Sequence, residues 1–187
     1  MTRQILFGVL IVLIASWSAC EKYKDPKEKD LGLTREYCND PSAINYNDSF
    51  PGVPNNSVCI FPTDLFEGNW HFQDSVFTPD GTFLNSETYI LTFTAKDPSQ
   101  DSLKRKLTLT GLCPSVNINL SANRYGLALT DTLIPYTDGG QFFCQNTDTI
   151  SGQFKVIRDS LNNNMKINFT IHAPDNQFLH IGKAIKQ

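Results

Sequence analysis

Residues 64–77, DLFEGNWHFQDSVF, decide the fold class, because apolar side chains begin here to recur at every second position. Trp70 and Phe72 alternate with His71 and Gln73. Successive side chains of a β-strand point to opposite faces, so this pattern lets one face be buried while the other contacts water. The stretch therefore predicts a half-buried strand that opens a β-domain.

The same alternation recurs along the rest of the chain. Its apolar positions include Tyr89, Leu91, Phe93, Leu107, Leu109, Ile118, Leu120, Ile150, Phe154, Val156, Ile167, Phe169 and Ile171. Turn-forming residues cluster between these runs, at residues 79–81, 97–99, 138–140 and 174–176. After residue 36, no segment of about ten residues has the apolar spacing of a helix. The sequence therefore predicts an all-β domain over residues 64–187, with about eight antiparallel strands.

Strands in this number and order can form an up-and-down barrel or a β-sandwich of two packed sheets. Closure into a barrel removes the exposed strand edges that an open sheet presents to other chains. A barrel of about eight strands has an interior that side chains just fill, or that holds one small ligand. We therefore expect an up-and-down barrel, with a β-sandwich as the alternative.

The N-terminus has the features of an export signal. Arg3 supplies a positive charge, and residues 5–15 form an apolar run that is too short to span a bilayer, which needs about 20 residues. Residues 17–20, Trp-Ser-Ala-Cys, resemble a lipobox. We predict a lipoprotein signal peptide over residues 1–19 and a mature chain that begins at an acylated Cys20; the alternative is an ordinary signal peptide cut near Ala19.

The cysteine count agrees with export. The chain has five cysteines, and lipidation of Cys20 leaves four that an oxidising compartment would pair. Four cysteines allow three pairings, of which sequence proximity and segment boundaries favour Cys38 with Cys59 and Cys113 with Cys144. The predicted location is the outer membrane, with the anchored protein on its periplasmic face or on the cell surface.

Two segments precede the β-domain. Residues 20–36 are dense in charges of both signs and predict a lipidated flexible tether. Residues 37–63 are crowded with Asn, Asp, Ser, Pro and Gly, and predict a turn-rich module closed by a disulfide bond. This module resembles a short cysteine-bounded module of Bacteroidetes-type secreted and lipid-anchored proteins. The matching residues are Cys38, Asp40, Ala43, Asn45, Tyr46, Asn47 and Cys59.

The start of the β-domain also has a family likeness. Gly68-Asn69-Trp70, preceded by Leu65-Phe66, resembles the Gly-x-Trp motif of the lipocalin superfamily. The resemblance implies that Trp70 closes one end of a barrel and that a cation from the last strand, Lys183 or Lys186, stacks on it. The whole chain resembles Bacteroidetes-type lipoproteins with a lipocalin-like β-barrel domain, which implies a fold and no particular activity.

The residues suggest binding and not catalysis. We find no coordinated nucleophile, base and stabilising donors, and no ligand cluster for a metal, so we expect no enzyme activity, no cofactor and no metal. His71 and His172 fall on the polar parity of their strands, while His180 lies in residues 178–185, whose apolar residues occupy both parities. Asp74, Asp131 and Asp148 lie near predicted strand ends, where solvated carboxylates are common.

The charge balance argues against nucleic acid as a partner. Without residues 1–19 the chain has 15 basic and 19 acidic side chains, and the sequence contains no basic stripe.

Two binding functions remain. In the first, the apolar parity of the strands lines a pocket for a small apolar ligand, although the same side chains could simply fill the barrel. These candidate ligand-binding residues are Trp70, Phe72, Tyr89, Leu91, Phe93, Phe154 and Phe169. In the second, the barrel is a rigid support whose loops bind an envelope protein or glycan. The connection over residues 133–146, with Tyr136, Phe142 and Phe143, motivates this alternative.

Overall fold

The structure, a computed structural model, describes residues 31–114, 116–131, 140–144, 147–158 and 163–187. The predicted signal peptide, Cys20, most of the predicted tether and Tyr136 lie outside these ranges, so lipidation at Cys20 stays a prediction. Within these ranges no helix combines the length and apolar composition that a membrane-crossing segment needs.

Regular structure in the described residues is β-strand, apart from two 3-10 turns at Asn56–Val58 and Thr63–Leu65. The strands, in chain order, are β1 (Glu36–Tyr37), β2 (Val53–Pro54), β3 (Gly68–Phe77), β4 (Phe83–Ala95), β5 (Lys106–Thr110), β6 (Ile118–Ala122), β7 (Leu127–Thr130), β8 (Gln141–Phe143), β9 (Asp148–Arg158), β10 (Asn163–His172) and β11 (Gln177–Lys186).

Eight of these strands close into an antiparallel barrel. Their order around the barrel is β10-β11-β3-β4-β5-β6-β7-β9, and β9 pairs back onto β10. Chain neighbours are therefore also spatial neighbours, except where β8 intervenes between β7 and β9. The predicted up-and-down barrel is confirmed, and the alternative of a β-sandwich is wrong.

The ninth strand of the sheet, β8, continues the line of β7 along the same edge of β9. It pairs with Asp148–Ile150 of β9, whereas β7 pairs with Gln153–Lys155. A disulfide bond between Cys113 and Cys144 joins the end of β8 to the connection between β5 and β6. Both predicted disulfide pairings, this one and Cys38 with Cys59, are present.

One continuous apolar core occupies the barrel interior. All eight barrel strands contribute inward-facing side chains, and β8 adds Phe143. The largest fully buried side chains are Trp70, Phe66, Phe72, Phe93, Phe154, Leu91, Leu107, Leu109, Ile118, Leu120, Ile150 and Met165. Burial of each such side chain contributes about 1.5–3 kcal/mol to folding, which makes the interior the main source of stability.

The orientation of β11, which its sequence leaves open, is settled by pairing with β3 and β10. Ala184 and His180 face the interior and are buried, whereas Ile181 and Ile185 are exposed on the outer face. Position 182, between His180 and Ala184 on the inward row, requires glycine because a Cβ there would lie 1.9 Å from the carbonyl oxygen of Gln73.

The N-terminal end of β3 closes one end of the barrel. The buried Trp70 donates a hydrogen bond from Nε1 to the carbonyl oxygen of Phe66, at 2.6 Å. Lys186 Nζ lies 5.7 Å from the centroid of the Trp70 ring, while Lys183 lies on the outer face. Lys186 is therefore the cation of the last strand that faces Trp70, one of the two that the lipocalin resemblance implies.

The cysteine-bounded module is held by local hydrogen bonds more than by a core. Its buried apolar cluster contains Cys38, Ala43 and Phe61. The side chain of Asn45 joins its own loop to the segment around Cys59: it donates to Val58 O and accepts from Ile60 N, both at 2.8 Å. The side-chain hydroxyl and backbone N–H of Ser42 donate hydrogen bonds to the carboxylate of Asp40 and lower its pKa.

The module extends beyond residue 37 on its N-terminal side and contacts the barrel. Glu36, which the composition assigns to the tether, pairs with Val53. Arg124 of the barrel donates from Nη2 to Ala43 O at 3.2 Å, and Lys104 Nζ lies 3.5 Å from the centroid of the Phe61 ring. These contacts fix the module against the side of the barrel that carries Lys104 and Arg124.

Candidate functional site

The seven predicted ligand-binding residues all lie on the inward parity of the barrel wall. Six are buried and Tyr89 is half-buried. They contact one another: the ring of Phe93 lies 5.7 Å from that of Phe154 and 6.4 Å from that of Trp70. These are the separations of packed aromatic pairs, so the side chains fill the barrel toward the Trp70 end. Their role as ligand contacts stays a prediction.

Polar groups enter the interior at the other end of the barrel. Nδ1 of His180 lies 2.6 Å from Oδ2 of Asp74, and both residues are buried. Asp74 lies on the inward row of β3, directly opposite Gly182 of β11. Because Gly182 has no side chain, His180 can reach the carboxylate diagonally from two residues away.

The second oxygen of this carboxylate has no hydrogen-bond partner. Oδ1 of Asp74 is buried, and among the described residues no donor contacts it. An ionised carboxylate has lone pairs for about four hydrogen bonds, so one neighbour leaves most of its accepting capacity unused. Among the described residues, Asp74 is therefore the buried polar side chain that still requires a hydrogen-bond donor.

Glu87 and Tyr89 form the rim of this site. Glu87 lies opposite Asp74 on β4 and is exposed. It accepts hydrogen bonds from the hydroxyl of Tyr89 and from Asn85 Nδ2, the latter at 3.0 Å. Burial, the hydrogen bond to Glu87 and the negative charges of Glu87 and Asp74 all raise the pKa of Tyr89. The phenol is thus held neutral beside two carboxylates.

A ladder of four rings lines the same end of the barrel. Tyr89 stacks on Phe72 with ring centroids 6.1 Å apart, and Phe72 lies 6.3 Å from Phe169. Phe169 in turn stacks on His180, with centroids 4.4 Å apart and planes inclined by 10°. We call Asp74, His180, Glu87 and Tyr89, with the rings of Phe72 and Phe169, the Asp74 site.

The barrel wall is incomplete beside the Asp74 site. Within the described residues, β5 pairs with residues 92–95 of β4, so that residues 83–91 pair with β3 alone. Phe83 and Leu84, at the far end of this edge, are exposed. The exposed Glu87 and the half-buried Tyr89 lie on this unpaired edge of β4.

The other histidines and carboxylates of the sequence analysis lie elsewhere. His71 and His172 are on the outer face, as predicted, and His172 Nε2 lies 3.3 Å from Ser151 Oγ. Asp131 accepts from Lys106 Nζ at 2.9 Å on the outer face of β6 and β7. Among the described residues, no three His, Cys, Asp or Glu side chains converge as metal ligands would.

The interpretation of Asp74 as a solvated strand-end carboxylate is wrong, because its side chain is buried inside the barrel. A signal for this position was available: Asp74 shares the parity of Trp70 and Phe72. His180 lacked such a signal because its strand has apolar residues on both parities.

Of the connection over residues 133–146, the structure describes residues 140–144. Phe143 packs into the barrel core, whereas Phe142 is 41% exposed. Tyr136 lies outside the described residues. The loop-binding hypothesis therefore retains one exposed aromatic residue within the described structure.

Comparison with known proteins assigns no family to this chain. No protein-family model matches it, and no curated protein gives a significant match. Among solved structures, it is similar to a protein of unknown function from Nostoc punctiforme that belongs to the DUF3598 family, with 10% sequence identity and a TM-score of 0.42. The similarity covers 67% of this chain and 49% of that chain, so this chain spans about half the length of that neighbour.

Proposed function

We propose that this protein is a lipid-anchored binding protein of the cell envelope that holds a small ligand at the Asp74 site. The observation that carries the proposal is the buried Oδ1 of Asp74, which has no donor among the described residues. A buried acceptor without a partner costs about 1–3 kcal/mol, and more when it is charged. A ligand whose donor reaches Oδ1 would remove this cost on binding.

The surroundings of Asp74 define the chemistry of that ligand. The packed rings of Phe72, Tyr89 and Phe169 form an apolar wall against which the body of a molecule could lie. Asp74 and the facing Glu87 offer acceptors and negative charge to its head. The site therefore favours an apolar molecule with an ammonium or hydroxyl head and disfavours one that ends in a carboxylate.

The envelope location rests on the N-terminal sequence and on the disulfide bonds. The export signal over residues 1–19 and acylation of Cys20 would hold the domain at a membrane through its lipid chains. The bridges Cys38–Cys59 and Cys113–Cys144 are of the kind that persists outside the cytosol, which supports an exported protein.

The test uses two fluorescent probes that differ in their head group, a dansylated long-chain amine and the matched dansylated fatty acid. We expect the wild-type protein to bind the amine and to bind the fatty acid far more weakly. Asp74→Asn should weaken amine binding roughly 10- to 100-fold, the range for a lost hydrogen bond to a charged group. The matched control is Asp97→Asn, an exposed carboxyl at the opposite end of the barrel, which should bind as the wild type does.

Two results would contradict the proposal. One is a wild-type protein that takes up neither probe although its barrel is folded. The other is an Asp74→Asn variant that binds the amine as tightly as the wild type, since the buried carboxylate would then have no part in recognition.

A second candidate function is partner binding through the strand connections. The exposed Phe142 beside the Cys113–Cys144 bridge favours it, because aromatic side chains are enriched at protein interfaces. Crosslinking in intact cells should then recover an envelope protein or glycan, and Phe142→Ser should reduce the yield. Crosslinking that is unchanged by Phe142→Ser would contradict this candidate.

A further inference from the structure

Three lysines from three adjacent strands form a row across the outer face of the barrel. Lys155 of β9 is paired in register with Lys166 of β10, and Lys166 with Lys183 of β11. All three side chains are exposed. Adjacent strands lie about 4.8 Å apart, so the attachment points of three positive charges lie within about 10 Å. We call Lys155, Lys166 and Lys183 the lysine row.

Within the part of the chain that the structure describes, no carboxylate neutralises the lysine row. The described outward positions of β3, β9, β10 and β11 carry no Asp or Glu. Polar neighbours of the lysine row on this face include the uncharged amides Gln73, Gln153 and Asn168. Like charges directly opposite one another on a sheet destabilise it. The expectation that the chain has no basic stripe is therefore wrong for the folded protein, although the formal net charge of the whole sequence is −3.

Apolar side chains lie next to the lysine row on the same face. Ile181 and Ile185 flank Lys183 along β11 and are 42% and 53% exposed. A groove of about 300 Å³ runs beside the row, and Lys166, Lys183 and Ile185 are among the residues that line it. The face thus combines concentrated positive charge with exposed aliphatic surface.

We propose that this face docks onto the anionic phospholipid headgroups of a membrane surface. Lysine ammonium groups on long aliphatic stems can reach phosphates in the headgroup layer, while isoleucines beside them enter the apolar boundary below. Each basic residue near an anionic lipid surface strengthens binding about fivefold. Proteins that bind nucleic acid usually contact more than three phosphates or stack bases on aromatic side chains. The lysine row offers three cations and no such stacking surface, which favours lipid as the partner.

This docking is independent of the ligand proposed for the Asp74 site and of the lipid anchor at Cys20. The lysine row lies on the outer face of the barrel, and the Asp74 site opens from its interior. Docking orients the barrel with β9, β10 and β11 toward the lipid.

The test measures binding of the predicted mature chain, residues 20–187 with Cys20→Ser to remove the acyl chains, to two kinds of vesicle. One kind contains phosphatidylcholine with phosphatidylglycerol, and the other contains phosphatidylcholine alone. We expect preference for the anionic vesicles, a loss of that preference at high salt, and about 25-fold weaker binding to them after Lys166→Gln/Lys183→Gln. The double variant should be at least as stable as its parent, because a like-charge pair is removed.

The matched control is Lys96→Gln/Arg105→Gln, which removes the same charge from the β4–β5 side of the barrel. It should bind anionic vesicles nearly as tightly as its parent. The proposal is overturned if both double variants lose affinity equally, if neither loses it, or if the parent binds neutral vesicles equally well. Tighter binding to DNA or to an acidic polysaccharide than to vesicles, with the same dependence on the lysine row, would overturn lipid as the partner.

Discussion

His180 Nδ1 lies 2.6 Å from Asp74 Oδ2, although 106 residues separate the two in sequence. They meet because β11, the last strand, pairs with β3, the first strand of the barrel. The contact joins the two ends of the barrel sequence inside a largely apolar interior, where a carboxylate requires a partner. The Asp74–His180 pair therefore links the two strands that close the barrel, and it also forms one wall of the Asp74 site.

The energetic coupling of this pair can be measured with a double-mutant cycle. We expect Asp74→Ala and His180→Ala each to destabilise the protein, with a coupling free energy of about 1.5–3 kcal/mol, as for hydrogen bonds to charged groups. Urea denaturation provides the four free energies of unfolding. The control cycle removes the exposed Ser75 and Ser86 hydroxyls, whose oxygens lie 3.5 Å apart. A coupling for Asp74 and His180 as small as that of the serines would contradict the assignment.

Tyr89 should ionise at a higher pH than an ordinary tyrosine, because burial and the negative charge of Glu87 and Asp74 raise the pKa of its phenol. The folded state then favours the protonated phenol. Its contribution to stability is complete below about pH 10, where an unfolded tyrosine titrates, and is lost as the pH rises through the folded pKa.

Alkaline titration of phenolate absorbance tests this shift. Tyr89→Phe should remove a component that titrates late, and Glu87→Gln should move that component to lower pH. If Tyr89→Phe instead removes a component that titrates near pH 10, the phenol is not held neutral by its surroundings.

Lys186 should stabilise the closed end of the barrel through the Trp70 ring. We expect Lys186→Gln to lower the free energy of unfolding by about 0.5–1 kcal/mol, the range for an amine over an aromatic ring. Lys183→Gln is the matched control, because Lys183 lies on the outer face of the same strand. Urea denaturation followed by Trp70 fluorescence gives both values, and equal losses for the two lysines would contradict the role of Lys186.

The Cys38–Cys59 bridge should hold the N-terminal module without supporting the barrel. Because the buried cluster of the module contains Cys38, Ala43 and Phe61, removal of a bridge with a sequence separation of 21 should cost about 3 kcal/mol locally. Cys38→Ser/Cys59→Ser should therefore become sensitive to protease within residues 39–58, while the unfolding transition of the barrel is unchanged. A module that resists protease as before, or a barrel that unfolds with it, would be evidence against this division.

Much of the fold could be predicted from side-chain parity. Trp70, Phe72, Leu91 and Phe154 face inward as their alternation predicts, because the two faces of a strand are a local property of its backbone. Sequence proximity and segment boundaries also favoured, among three possible pairings, the two disulfide bonds that the structure contains. The inward orientation of His180 could not be predicted, because its strand lacks a clear period and its direction depends on two neighbouring strands.

The amino-acid sequence by itself therefore determined most of the barrel strands and, except in β11, which row of each strand is apolar, and it favoured the observed pairing of the four cysteines. Tertiary structure alone decided which residues from distant strands lie side by side. Asp74 meets His180, and Lys155, Lys166 and Lys183 align, through the register between strands. Register is set jointly by closure of the barrel and packing of its core, and a shift of one residue would send each of these side chains to the opposite face.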